Sequence, residues 1–431
     1  MDALLRTHLN DIFNKCLHCG LCLPTCPTYN IDLHEESSPR GRIQLMYAVE
    51  NKSIPLTDKF VNEIYYCLDC QACETACPAG VHYGELVEAS RNGIGESKKD
   101  PFILNIVKII FLRGILSSPV RTKLFGKILY WYEQIGLRNA IEESGILKII
   151  SPSLHEKHRL LPRADRNCFD ESVEEIIPVQ KGERRGRVAF LSGCIMNIAF
   201  TKIHQDAVRV LNLNGFEIVL PKKQVCCGSL HSHNGDLKEA KRLAKINIEV
   251  FEKHQFDYLV VDSAGCSAFM KEYGKIFADE PDYAERAKSL SSRVKEITEF
   301  LSEVGLSKMP EEYSATVTYH DACHLVHTQK VSRQPRELLQ NIPGIKLIEL
   351  SESSWCCGSA GIYNVVRYED SMKILDRKME NIQSTGAEIV TTANPGCHLQ
   401  LEYGIEKKGL KMEVLHPVSI LSRAYAETLD H

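Results

Sequence analysis

Apolar residues recur three and four positions apart over Met1–Lys15, Arg42–Asn51 and Leu56–Tyr66, the spacing that lines one face of a helix. The first of these is amphipathic, with Arg6, His8, Asp11 and Lys15 on its polar side. Helical spacing returns in Phe102–Arg113 and Val120–Ile135, where apolar residues crowd more densely. Residues 151–186 lose the period; Pro, Arg and Glu dominate, which predicts a linker. Beyond it, short β-branched runs alternate with longer helical patterns such as Lys238–Lys253 and Asp370–Ser384. That texture predicts α/β domains with largely parallel sheets.

The second half repeats itself. Arg187–Cys194 matches Thr316–Cys323, Val225–Ser229 matches Trp355–Ser359, and Tyr258–Cys266 matches Glu388–Cys397. Paired cysteines stand 129 residues apart (Cys194 and Cys323), 130 (Cys226 and Cys356, Cys227 and Cys357) and 131 (Cys266 and Cys397). The copies therefore stay in register and divide the region into domains at 187–310 and 311–431. Each run leading into Cys194, Cys266, Cys323 or Cys397 reads as a strand. The cysteines then fall at the strand ends where such sheets place ligands.

With 431 residues, 44% hydrophobic and 25% charged, the chain has the composition of a soluble globular protein of two to four domains. A net charge of −4 argues against nucleic acid as a partner. Seventeen cysteines suit a disulfide scaffold only in a short secreted chain. The opening stretch has no apolar core or cleavage site of a leader, so the expectation is a reducing, cytoplasmic setting. No run of 18 apolar residues suggests a membrane span. Residues 101–150 carry seven Lys or Arg against three Glu, a basic excess that suits a peripheral position on the inner face of a membrane. A helical hairpin covering the N-terminal module is the favoured alternative. Cys168, alone in the linker, reads as a free thiol.

Two runs concentrate the chemistry: Cys16-x₂-Cys19-x₂-Cys22-x₃-Cys26-Pro27 and Cys67-x₂-Cys70-x₂-Cys73-x₃-Cys77-Pro78. Three cysteines followed by Cys-Pro, twice, is the spacing for two [4Fe–4S] clusters in which the fourth cysteine serves the other cluster. The predicted ligand sets are Cys16, Cys19, Cys22 and Cys77 for one, and Cys67, Cys70, Cys73 and Cys26 for the other. Zinc also takes Cys-x₂-Cys pairs, but pairs do not explain the repeated fourth cysteine. Some 40 residues, largely helical, separate the runs, so residues 1–95 form a helical ferredoxin domain. Residues 96–186 follow as a basic, apolar segment and linker. Arg40 and Arg42 stand either against an anionic cluster or partner, or in solvent.

Cys194, Cys226, Cys227 and Cys266 form a third candidate site, and Cys323, Cys356, Cys357 and Cys397 a fourth. Recurrence of the same four thiols points to metal. A glycine after each Cys-Cys pair suits a tight turn beside a bulky group. His320, His324 and His398 flank the fourth site; satisfied strand-end side chains are the first reading, ligands or tuning donors the second. Of the two repeat sites, the fourth is the one favoured for any chemistry.

These cysteines resemble the cysteine-rich CCG domain shared by heterodisulfide reductases and by iron–sulfur subunits of several flavin dehydrogenases. In that family a closing Cys-x-x-Cys supplies a fifth thiolate for a noncubane cluster. Here Phe269 and Gln400 occupy that position, so the resemblance implies four thiolates per site, holding one or two further iron–sulfur clusters, or zinc. The order of Cys16–Pro27, Ser38–Arg42, Cys67–Pro78, His320–His324, Trp355–Gly361 and Asn394–Cys397 resembles, over nearly the whole chain, the iron–sulfur subunits of bacterial glycolate oxidase and D-lactate dehydrogenase complexes. The resemblance implies an electron carrier beside a separate FAD-binding subunit that oxidises a 2-hydroxy acid. Electrons would pass the N-terminal cubanes and leave through the repeats to a quinone or another carrier. Neither a Gly-x-Gly-x-x-Gly fingerprint nor a P-loop is present, and no catalytic residue is assigned. Three alternatives stand beside this reading. One is a thiol–disulfide reductase acting at the fourth site. Another is a glycerol-3-phosphate dehydrogenase iron–sulfur subunit. In the third, the repeats are a zinc-holding platform.

Overall fold

The computed structural model describes residues 3–180 and 182–425; of the predicted opening helix, Met1, Asp2 and the side chains of residues 3–8, Arg6 and His8 among them, lie outside the described residues. Helices Ala3–Asn14, Pro39–Glu50, Asp58–Tyr66 and Tyr83–Glu96 build the N-terminal module. Their inward faces, among them Ile12, Met46, Phe60, Ile64, Leu86 and Val87, meet in one core. Caps set their starts: the Ser38 hydroxyl accepts from Gly41 N–H at 3.0 Å ahead of Pro39, and Thr57 accepts from Phe60 N–H at 3.2 Å.

The same core takes in Leu104, Leu112 and Leu116 from the next segment. There the predicted single helix is α only over Phe102–Ile106 and winds as a π-helix over Val107–Leu116. Its inward residues, Leu104, Lys108, Leu112 and Leu116, are spaced strictly by four. The following helix, Pro119–Gln134, leaves at 102°. Gly126 allows it to close on the repeats, where an added Cβ would lie 2.9 Å from Ile198 Cβ.

The stretch predicted as a linker is partly ordered: helices Pro152–Arg159 and Phe169–Ser172 and strand β1 (Ile176–Ile177) lie within it. Phe169 is the anchor, buried with its ring 5.9 Å from Phe190 and 4.7 Å from His204.

Strands β2 (Gly186–Phe190), β3 (Phe216–Val219), β4 (Tyr258–Val261) and β5 (Val294–Glu296) form the first repeat's sheet in the order β1-β3-β2-β4-β5. All its pairings are parallel except that of β1 with β3. Strands β6 (Ala315–Tyr319), β7 (Ile345–Ile348), β8 (Ile389–Thr391) and β9 (Glu413–Leu415) give the second sheet, β7-β6-β8-β9, all parallel. The repeats are thus one topology used twice. Helix Thr201–Leu213 packs on Pro417–Arg423, and Ile297–Val304 packs on Arg333–Gln340. Because these pairs exchange equivalent elements, the repeats meet about a pseudo-twofold axis. Phe190, Val210 and Phe300 share one core with Tyr319, Leu339 and Ile420.

Candidate iron–sulfur centres

In both N-terminal runs the chain folds back through left-handed residues at matching positions: His18 (φ 53°) and Gly20 (85°) in the first, Asp69 (56°) and Gln71 (59°) in the second. Non-glycine residues adopt this region at a cost, and here it turns the thiols inward. One cavity is lined by Cys16, Cys19, Cys22, Cys77 and Cys73. A second, about 310 Å³, is lined by Cys26, Cys67, Cys70 and Cys73. The last cysteine of each run therefore faces the other run's cavity. Asp69 N–H and the Tyr83 hydroxyl donate to Cys67 Sγ at 3.3 and 3.5 Å. Burial pushes the Cys22 thiol up to about 11 and those of Cys70 and Cys73 well above the usual range. Thiols gathered this way ionise readily only around a cation, so the donor set fits iron–sulfur clusters.

Both arginines of Ser38–Arg42 line these cavities, Arg40 the first and Arg42 the second. Arg40 grips the Glu35 carboxylate at 2.6 and 3.0 Å and donates to the His18 carbonyl at 3.0 Å. Arg42 is fully buried; its Nε donates to the Glu63 carbonyl at 2.9 Å and Nη1 to Thr28 Oγ1 at 3.0 Å. Against the desolvation of burial, Tyr83, Cys67 and Cys26 favour its charged form. Only glycine fits between the two arginines, since a Cβ on Gly41 would sit 1.9 Å from the Glu35 carbonyl oxygen.

In the repeats, Cys194, the Cys226–Cys227 pair and Cys266 follow β2, β3 and β4, three adjacent strands. Cys323, the Cys356–Cys357 pair and Cys397 follow β6, β7 and β8 in the same way. The thiols interact in series, Cys194 with Cys226, Cys226 with Cys227 and Cys227 with Cys266. The second set follows the same order, from Cys323 through Cys356 and Cys357 to Cys397. Gly358 (φ 89°) closes the turn after the second pair, where a Cβ would lie 2.6 Å from the Ser371 carbonyl oxygen. The second set adjoins the ferredoxin module: Cys356 and Cys70 pack in one cluster with Tyr66 and Trp355.

At the fifth-cysteine positions, Phe269 is buried in the first repeat's core with its ring 5.7 Å from Tyr273. Gln400, fully buried, donates to Ser371 Oγ and accepts from Asn364 Nδ2, each at 2.9 Å. The three flanking histidines part company. His324 Nε2 meets the Asp69 carbonyl at 3.2 Å, and His398 lies 3.3 Å from Glu402 with its ring on Phe200. His320 alone approaches the thiols, with its ligand atom and those of Cys357 and Cys397 all within 4.8 Å of one another. The sequence reading passed over His231, which lies against Cys226. It stands four residues after Cys227, on the helix that Gly228 opens, and nothing in the local sequence singles it out.

Asp69, between two cysteines of the second run, is buried beside Arg91 and His233, at 3.8 and 3.4 Å. Glu88 and Asp69 overcome the desolvation of burial and push His233 up to about 10, while burial and that charge bring neighbouring His324 down to about 4.

Two thiol-lined cavities in a helical module, backed by two cysteine-rich parallel-sheet repeats, define an iron–sulfur electron-transfer protein. Family models agree segment by segment: a 4Fe-4S dicluster domain matches residues 12–81, and a cysteine-rich domain matches 188–271 and 317–402. The linker region of the glycolate oxidase iron-sulfur subunit matches 104–161. The probable glycolate oxidase iron-sulfur subunit of Bacillus subtilis (strain 168) is 37% identical over 415 residues, 95% of this chain and 93% of that protein. The glycolate oxidase iron-sulfur subunit of Escherichia coli (strain K12) is 28% identical over 91% of this chain and 90% of its own length. Lactate utilization protein A of Shouchella clausii (strain KSM-K16) is 31% identical over 54% of this chain and 98% of its own. The chain belongs to the family of glycolate oxidase iron–sulfur subunits.

Proposed function

We propose that this chain is the electron-transfer subunit of a flavin-dependent glycolate or D-lactate dehydrogenase, taking electrons from an FAD-binding partner and delivering them to a quinone. The observation that carries the reading is the convergence of eight cysteines on two adjoining cavities. Cys16, Cys19, Cys22 and Cys77 hold one [4Fe–4S] cluster, and Cys67, Cys70, Cys73 and Cys26 the other. Cys194, Cys226, Cys227 and Cys266, and Cys323, Cys356, Cys357 and Cys397, hold further clusters. When bound, such clusters supply one-electron carriage at potentials set by their surroundings. The chain's part is to exclude water, to place Arg40 and Arg42 against negative charge, and to fix the spacing. The test is anaerobic purification of the chain alone and with its flavin subunit. Alone it oxidises neither acid; with the partner, substrate reduces its EPR-visible centres. Oxidation by the chain alone sinks the proposal. About eight irons per chain would confine clusters to the first module; about twelve to sixteen would extend them to the repeats.

We propose further that the subunit lies on a membrane surface. Val120, Leu124, Ile128, Trp131 and Ile135 are 76, 57, 57, 62 and 67% exposed. They form a stripe along the outer side of their helix, and Ile109 and Ile110 of the preceding segment are exposed as well. Exposed Arg121 and Lys127 flank the stripe. No single helix among the described residues is long and apolar enough to cross a membrane. An apolar stripe edged by cations suits an anionic bilayer surface, which is also where a quinone is met.

A further inference from the structure

We propose that a buried histidine completes each cysteine-rich site, His231 the first and His320 the second, each binding iron through a ring nitrogen in place of the missing fifth cysteine. The inference rests on the reading that these sites hold iron–sulfur clusters, and it concerns what those clusters are tied to.

His231 is fully buried, and its Nε2 lies 3.1 Å from the Leu112 carbonyl oxygen and 3.1 Å from Ser117 Oγ. A carbonyl can only accept, so Nε2 carries the proton and the lone pair is on Nδ1. Nδ1 is buried without a hydrogen-bond partner, and the side chain lies against Cys226. A ring whose far nitrogen is held by a backbone carbonyl while the near one stays bare is the arrangement found behind metal-bound histidines.

His320, at the end of β6, is 1% exposed, and neither of its ring nitrogens has a hydrogen-bond partner. A buried polar group left unpaired is destabilising, so this ring calls for an occupant that no protein group supplies. Its ligand atom shares a 4.8 Å neighbourhood with Cys357 and Cys397 Sγ.

The two histidines are not repeats of each other. In the alignment of the copies, Leu191 stands where the second has His320, and Gly361 stands where the first has His231. Neither Leu nor Gly can bind a metal. Each site therefore gains one imidazole, reached from a different strand end, and both lack the fifth thiol. Neutral imidazole in place of thiolate leaves each site less negative, which raises its reduction potential, as in histidine-ligated [2Fe–2S] centres.

The test uses the full chain, purified anaerobically with ¹⁵N-histidine and poised in its paramagnetic states. Wild type is compared with His231→Cys, His320→Cys and the double variant, for iron content, pulsed-EPR nitrogen coupling and midpoint potential. The Cys variants keep a ligand, so iron should stay at the wild-type level. One directly bonded ¹⁵N coupling should vanish in each single variant and both in the double, and the affected potential should fall. A coupling that persists in the double variant belongs elsewhere, for example to His18, whose Nδ1 lies 3.9 Å from Cys16 Sγ, and overturns the inference. So does a wild type with about twelve or more irons and no directly bonded nitrogen. A wild type with about eight irons overturns the cluster reading of the repeats and the inference with it.

Discussion

His233 Nδ1 lies 2.7 Å from Glu88 Oε1 and 3.4 Å from Asp69 Oδ2, so one charged imidazole ties the first repeat to the second cysteine run. Asp69 sits between Cys67 and Cys70, and its backbone carbonyl also meets His324 of the second repeat. Arg91 adds to the joint, donating to the His233 carbonyl at 2.7 Å and to the Cys67 carbonyl. Three modules are therefore fastened at the rim of one cavity, and the loop that holds its thiols cannot move without disturbing both repeats.

Replacing His233 by Gln should destabilise the protein by about 3 kcal/mol, the scale for breaking a buried ion pair. The effect should depend on pH. Folding raises this histidine from 6.5 to about 10, so its contribution is full below pH 6.5 and is lost as pH rises through 10. Thermal melts at pH 6 and pH 10 check this: the gap between wild type and His233→Gln should be wide at the first and narrow at the second. A gap that does not change with pH would mean that His233 acts by packing alone.

Arg42 should set the potential of the centre in the second cavity. It is a fully buried cation beside Cys26 and Cys67, and a fixed positive charge favours the reduced, more negative state. Arg42→Met should lower that midpoint by roughly 60 mV, equivalent to a tenfold change for one electron, and leave the other centre nearly unchanged. Arg42→Lys, keeping the charge, should restore most of it. EPR-monitored redox titration reads both. Equal shifts in the two centres would mean that the substitution disturbs the whole module.

What was legible in the sequence was whatever the chain writes locally. The Cys-x₂-Cys-x₂-Cys-x₃-Cys-Pro runs need only neighbours in sequence to turn left-handed at His18 and Asp69. The repeat showed itself because Cys194 and Cys323 head the same strand-to-helix step. The rest depended on tertiary partners. His231 is informative only once Leu112, 119 residues earlier, is seen to hold its Nε2. Phe169 orders the supposed linker by reaching His204 and Phe190, which no period within 151–186 could announce.

The exposed stripe of Pro119–Gln134 makes a separable prediction. Ile128→Asp with Trp131→Asp should abolish sedimentation with vesicles of anionic phospholipid. Because both side chains are mostly exposed, stability should change by no more than about 0.5 kcal/mol. Wild-type binding should weaken with added salt and on neutral vesicles, as expected where Arg121 and Lys127 assist. Undiminished binding by the double variant would assign the stripe to a protein partner instead.

Pairs of serine substitutions can decide which cysteines share a cluster. Cys26 and Cys77 each end one run but face the other run's cavity. Crossed ligation groups Cys16 with Cys77 and Cys67 with Cys26. Cys16→Ser with Cys77→Ser should then cost one cluster, about four irons, the same as either single variant. Cys16→Ser with Cys26→Ser should cost two, about eight irons. If each run held its own cluster, the two results would be exchanged, because Cys16 and Cys26 would share one cluster while Cys16 and Cys77 would not. Iron and acid-labile sulfide assays on the four single and double variants give the answer without any assumption about the partner, the substrate or the acceptor.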